Sequence, residues 1–252
     1  MSGPTNTNIP FNLDALLARS NFYGLLTRLF RHPRSPGAGE SIRELKNQLF
    51  ESVPLLPYPK RELIKTRLSS FFEKVNSLKT DEWVFEHEQC FGPTAFGAVP
   101  AHEIEYGEEY RHRQPQELAD IAAFYRAFGF QISERSHERV DHVSAELEFA
   151  QILVFKEAWA LKEEKMEEAF ICRDAFVKFL SDHLAFWAPA FMRRLSKKAP
   201  QKGILKAAAE LSFEFMLQEC QAMSIQASSK DLPIRRIEEK EETGCVSCER
   251  AS

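Results

Sequence analysis

Residues 141–161 read Asp141-His142-Val143-Ser144-Ala145-Glu146-Leu147-Glu148-Phe149-Ala150-Gln151-Ile152-Leu153-Val154-Phe155-Lys156-Glu157-Ala158-Trp159-Ala160-Leu161. Val143, Leu147, Ala150, Val154, Ala158 and Leu161 recur at steps of three and four, the spacing of one apolar stripe on an α-helix. Asp141 stands where an N-cap carboxylate belongs, and the chain turns polar from Glu163 onward. The same period extends outward in both directions, while runs of alternating β-branched residues are nearly absent, so the chain is expected to be all-α.

Upstream, a first helix is expected from Asn12 to about Phe30, a second from Ser41, a third over Arg61–Leu78 and a fourth beginning near Trp83, with Pro54, Pro57 and Pro59 as breaks. Residues 92–100, with two prolines and two glycines, read as an apolar loop, and such loops often bind ligands. Glu117 to Phe128 reads as a compact amphipathic helix stopped by Gly129. Downstream, Phe170 to Trp187 is apolar on several faces, as a central helix limited by Pro189 would be, and a last helix is expected from about Gly203 to Ala227. Gln131 to Val140 is polar. Residues 1–227 are therefore expected to form one helical-bundle domain of two halves, about 12–130 and 141–227, joined by a hinge at about 131–140. The charged tail, 228–252, has too little apolar surface to offset its ordering entropy and is expected to be flexible.

The bulk numbers exclude several classes. With 252 residues, 44% of them hydrophobic, the chain can bury a real core. Its 33 basic and 37 acidic residues leave a formal charge of -4 with no basic stripe, which argues against nucleic acid. The start lacks a charged n-region and apolar h-region, and no window reaches a membrane span, so a cytoplasmic protein without stable membrane insertion is expected. Five cysteines imply no disulfide framework.

Chemistry-bearing motifs are sparse. No phosphate loop, nucleophile elbow or His-Glu-x-x-His occurs, so no catalytic residue and no cofactor is assigned. Glu109/His112 and Glu134/His137 have the Glu-x-x-His spacing of a di-iron carboxylate site, which makes a helical di-iron or other metal-binding enzyme the alternative reading. Cys245 and Cys248 form one Cys-x-x-Cys where a structural zinc needs four ligands. Phe85, Cys90, Phe91, Phe96 and Val99 followed by Glu103, Glu105, Tyr106, Glu108 and Glu109 suggest an apolar trough bordered by carboxylates, suited to a peptide with basic residues beside a hydrophobic run. Asp141 and His142, with Glu146 and Glu148 one turn on, suggest an acidic corner for guanidinium groups.

Cys90-Phe91-Gly92-Pro93, the loop to Glu105-Tyr106, Leu118-Ala119-Asp120 through Tyr125 to Gly129, Asp141-His142 with Glu146-Leu147-Glu148-Phe149, and Asp182-His183-Leu184 with Trp187 together resemble the TorD/DmsD/NarJ family of molybdoenzyme-specific chaperones. The resemblance covers roughly Leu13 to Gln226 and is nearest to the chaperones of type II dimethyl-sulfoxide-reductase relatives. It implies a TorD-like all-helical fold, monomeric or domain-swapped dimeric. It also implies a partner: the immature catalytic subunit of a molybdopterin-containing oxidoreductase, held by its twin-arginine leader or N-terminus. Carried over, the peptide-contact positions are Cys90, Phe91, Pro93, Pro100, Tyr106, Asp141 and His142, with Glu105 and Glu146 as neighbouring carboxylates. Cys90 stands where the family has a larger aliphatic, His87 where an aromatic is common, and Ala101-His102 replaces the second proline and its neighbour, so a shallower groove is expected.

Overall fold

The computed structural model describes residues 12–35, 39–77, 79–92, 98–108, 114–132, 138–228 and 231–235. Among them are ten α-helices: α1 (Leu13–Phe30), α2 (Gly39–Glu44), α3 (Lys46–Ser52), α4 (Arg61–Ser77), α5 (Thr80–Phe91), α6 (Gln114–Ala127), α7 (Val143–Lys162), α8 (Met166–Phe179), α9 (Ala185–Lys198) and α10 (Ile204–Ala222). No strand occurs among the described residues, and the all-α class stands.

The centre of the bundle is α1. Asn12 caps it by accepting from the Ala15 N–H at 3.0 Å, and Leu16, Phe22, Tyr23, Leu25, Leu26, Leu29 and Phe30 are all buried. It lies along α7, which packs in turn on α8, while α10 packs on α9 and α4. Phe22 stacks on Phe215 at 5.3 Å, and Tyr23 meets Phe215 and Phe176 edge-on at 5.2 and 5.9 Å, so α1, α8 and α10 share one aromatic seam. A single apolar cluster runs from Leu16 to Met223.

The expected central helix over Phe170 to Trp187 is instead three pieces. Helix α8 ends at Phe179, Leu180–Leu184 form a π-turn, and α9 continues through Pro189 to Lys198. Phe170, Ile171 and Phe186 are 42%, 59% and 41% exposed, so this segment faces solvent on one side. Pro189 does not stop the helix because the carbonyl its missing N–H leaves free, that of Ala185, accepts from the Ser228 N–H at 2.8 Å. Two other boundaries move. Leu45 separates α2 from α3, and α10 stops at Ala222, where Ser224 takes φ 58°. Of the expected hinge, 133–137 lie outside the described residues.

Candidate functional site

Residues 98–107 form the spine of the site, an irregular segment stitched between the C-terminus of α5 and the N-terminus of α7. The Val99 N–H donates to the Cys90 carbonyl, the Val143 N–H to the Ala101 carbonyl and the Glu103 N–H to the Asp141 carbonyl, each at 2.9 Å. His102 and His142 pair as an isolated antiparallel bridge, and Glu103–Glu105 close a 3₁₀ turn. Tyr106 folds back, its hydroxyl donating to the Pro100 carbonyl at 2.7 Å and its ring resting on Trp187 at 5.4 Å.

The cap of α7 is His142, whose Nδ1 accepts from the Ser144 N–H at 3.2 Å. Asp141, expected there, does other work. Fully buried, it takes Arg139 through two hydrogen bonds at 3.0 and 2.8 Å and accepts from the Ile104 N–H at 3.4 Å, fixing the 3₁₀ turn. The acidic corner expected for an incoming guanidinium thus holds the chain's own Arg139. Glu146 is also fully buried and accepts from the Trp187 indole N–H at 3.0 Å. Burial, then the neighbouring Glu103 carboxylate, push the Glu146 carboxyl well above the usual range. Glu103 is met from the other side by His183 Nδ1 at 3.1 Å.

Beyond Glu103 and His183 the surface opens into a groove of about 840 Å³ between α6 and the π-turn. Its floor is Ala123, Phe124, Ala127, Phe128 and Phe186, and Glu117, Asp120 and Asp182 stand around it with Lys178 and Arg235. Phe124 is held in place by edge-on contacts with Phe179 and His183 at 5.4 and 5.6 Å. One wall belongs to the tail. Asp231–Arg235 are ordered against the spine through an antiparallel bridge between Tyr106 and Ile234, although composition placed them in a flexible segment.

Of the sequence-derived positions, Cys90, Tyr106, Asp141 and Glu146 are buried. Burial and the nearby Glu86 push the Cys90 thiol up to about 11, so it serves as a small apolar group. Phe91, Pro100 and Glu105 are partly exposed, His142 is nearly buried, and Pro93 lies outside the described residues. So do Cys245, Cys248 and the pairs Glu109/His112 and Glu134/His137. The donor set that could approach a metal is a different one: His102, Glu138 and His142 bring ligand atoms within 4.8 Å of one another. A tetrahedral set needs about 3.3 Å between ligand atoms at ~2.0 Å from the metal, so these three must close in to bind. Glu117, Asp182, His183 and Arg235 were not assigned to the site from sequence. Asp182-His183 had a signal in the shared pattern, whereas Arg235 had none.

Comparison with known proteins follows the same lines. A family model described as nitrate reductase delta subunit matches residues 54–193. The chain is 41% identical over 78 residues to the selenate reductase assembly chaperone protein of Thauera selenatis, a match spanning 31% of this chain and 39% of that relative. It is 27% identical over 192 residues to the perchlorate reductase assembly chaperone protein of Dechloromonas aromatica, covering 74% and 81% of the two chains. It is 27% identical over 205 residues to the chaperone protein TorD of Vibrio parahaemolyticus, covering 78% and 90%. With more than half of its length under the family model, the chain belongs to the nitrate reductase delta subunit family of NarJ/TorD-type chaperones.

Proposed function

We propose that the protein is a system-specific chaperone that binds the immature catalytic subunit of a molybdopterin-dependent oxidoreductase and assists cofactor insertion, assembly and proofreading before export. The observation that carries this reading is the groove between α6 and the π-turn. It offers Phe124, Phe128 and Phe186 to an apolar run and, beside Asp120, the carboxylates of Glu117 and Asp182, which here pair with Arg235 and Lys178, to competing arginines, the two features of a twin-arginine leader. Relatives named as assembly chaperones of selenate, perchlorate and chlorate reductases support the choice of client class. Phe91, Pro100, Glu105 and His142 line the approach along the spine, while Tyr106, Asp141 and Glu146 hold that approach in shape. The chaperone acts in the cytoplasm as a monomer or domain-swapped dimer.

Burying roughly 400 Å² of apolar leader surface at ~25 cal/mol per Å² yields about 10 kcal/mol before an association cost of at least ~4 kcal/mol, which leaves an affinity of tens of micromolar at best from apolar contact alone, a hold weak enough to release. The test is capture from the native host under anaerobic conditions with mass spectrometry and molybdenum analysis of what is held. A molybdopterin-enzyme catalytic subunit lacking its metal is the expected companion. Its repeated absence, together with stoichiometric metal on the chain lost in a His102→Ala/His142→Ala variant, would move the reading to a metal-binding enzyme.

A further inference from the structure

We propose that Glu117 and the Ile104 carbonyl form a binding site for the guanidinium of an extended, arginine-bearing client segment, and that the chain's own Asp231–Arg235 segment fills it as a displaceable internal ligand. The identity of the displacing chain rests on the chaperone reading above; the site and its resident do not.

The resident is bound as a peptide would be. The Gly107 N–H donates to the Pro233 carbonyl at 2.9 Å and the Arg235 N–H to the Glu105 carbonyl at 2.8 Å, so the segment pairs antiparallel to the spine through an isolated bridge of Tyr106 and Ile234. Such main-chain pairing is independent of side-chain identity, and selectivity must come from a pocket. Here the pocket takes arginine: Arg235 Nη1 donates to Glu117 Oε2 at 2.8 Å and to the Ile104 carbonyl at 3.2 Å, and Nη2 to Glu117 Oε1 at 3.5 Å. The planar fork of arginine suits that carboxylate where a lysine would give one point contact. Gly107, at φ 104°, keeps the pocket open, since a Cβ there would lie 3.2 Å from Arg235 Nη2 and 3.3 Å from Phe186.

The fit is nonetheless incomplete. Arg235 is only 9% exposed on its side chain, yet its Nε is buried without a hydrogen-bond partner, a donor that a better-seated chain would satisfy. Upstream, Asp231 is held by Lys197 at 2.6 Å in an ion pair more than half exposed, which contributes little. The open part of the groove, with Asp120, Asp182 and the phenylalanines, begins beside Arg235. In sequence Arg235 is followed by Arg236 and Ile237, an arginine pair before an apolar residue. A tethered resident competes at an effective concentration of order millimolar, so it raises the threshold for weak basic peptides while yielding to a client with further apolar contacts.

The test uses the full chain and a fluorescent peptide, Asp-Leu-Pro-Ile-Arg-Arg-Ile, read by anisotropy. Arg235→Ala is expected to bind the peptide at least tenfold tighter than the wild type, the gain vanishing in Arg235→Ala/Glu117→Gln and with a peptide whose first arginine is alanine. Arg235→Lys, which keeps charge and stem but loses the fork, should fall between, and serves if the alanine variant loses its helical circular dichroism. Equal binding by wild type and Arg235 variants, binding indifferent to the peptide's arginine, or no binding at all overturns the proposal. Capture of the cofactor-free catalytic subunit is scored in parallel: retained capture with a negative peptide result leaves the chaperone reading standing without this site, and lost capture with a positive peptide result does the reverse.

Discussion

Two clusters of buried charge sit in this bundle and are built on opposite rules. Between α1 and α10, Arg19 and Glu219 are both fully buried, with Arg19 Nε donating to Glu219 at 2.9 Å, the Tyr58 hydroxyl donating to the same carboxylate, and the guanidinium lying 4.8 Å from the Phe176 ring. Nearby, Arg173 Nε donates to Glu157 at 2.8 Å. Each buried carboxylate there has its own arginine. Under the groove, Glu103, Asp141 and Glu146 are gathered with Arg139 on one and His183 on another, and Glu146 accepts a neutral indole N–H and lies against the Glu103 carboxyl. The core pairs are balanced and hold helices in register. The site cluster carries an excess of carboxyl groups against a surface, an arrangement that costs stability and is kept where a protein binds something.

If the core cluster is purely structural, breaking it should cost the most. Removing one member leaves the other buried and uncompensated, which is worth about 3–5 kcal/mol. Arg19→Met is expected to lower the unfolding free energy measured by urea titration by that amount, and Arg19→Met/Glu219→Met to recover most of the loss by replacing both charges with apolar bulk. A single variant as stable as the wild type would mean that water reaches the pair, and the contrast with the site would dissolve.

The site cluster should respond differently. Asp141→Asn keeps the shape of the side chain but weakens its double hydrogen bond with Arg139 and its hold on the Ile104 N–H, for a loss of about 2 kcal/mol. Because Asp141 sets the 3₁₀ turn and the spine, capture of the client should fall by more than the lost stability accounts for at a temperature where the variant is fully folded. Undiminished capture by the folded variant would make Asp141 as structural as Arg19.

How much of this was legible in the chain follows from where each signal resides. Helices α1, α4, α6 and α7 are written in local periodicity, and their expected limits fall within a few residues of those observed, as at α6, where Gly129 takes φ 70°. The passage of α9 through Pro189 was not legible, because the carbonyl it frees is satisfied by Ser228, about forty positions on. His142 rather than Asp141 caps α7 because a buried aspartate with Arg139 at hand serves the turn across from it, a tertiary choice that cap preferences do not encode. The ordering of Asp231–Arg235 escaped a composition argument for a related reason. That argument counts apolar surface, whereas these residues are held by two main-chain bonds to the spine, the Arg235 guanidinium in a carboxylate fork, and Arg194 and Lys197 on the Leu232 carbonyl and Asp231.

Glu146 gives the finest test of the contrast, with an effect that depends on pH. Burial, then Glu103, raise its folded-state pKa above that of the unfolded chain. The folded protein therefore keeps this proton to higher pH than the unfolded one, and stability falls as pH rises from the ordinary glutamate range toward the raised value. Below that range both states are protonated and the penalty is absent. Glu146→Gln resembles the protonated form, its carbonyl able to accept from Trp187 and its amide able to face Glu103, and it does not titrate. The variant and wild type should therefore match near pH 4 and diverge as pH rises, the variant becoming the more stable by about 1.4 kcal/mol for each pH unit of the upward shift. Urea unfolding at pH 4, 6 and 8 reads this directly. A Glu157→Gln variant supplies the core counterpart: burial also raises the Glu157 pKa, but Arg19 and Arg173 oppose it, so the variant should gain less on the wild type with rising pH than Glu146→Gln does. If instead the two variants gain alike between pH 4 and pH 8, Glu146 is as well compensated as Glu157, and the carboxyl excess under the groove carries no extra stored cost.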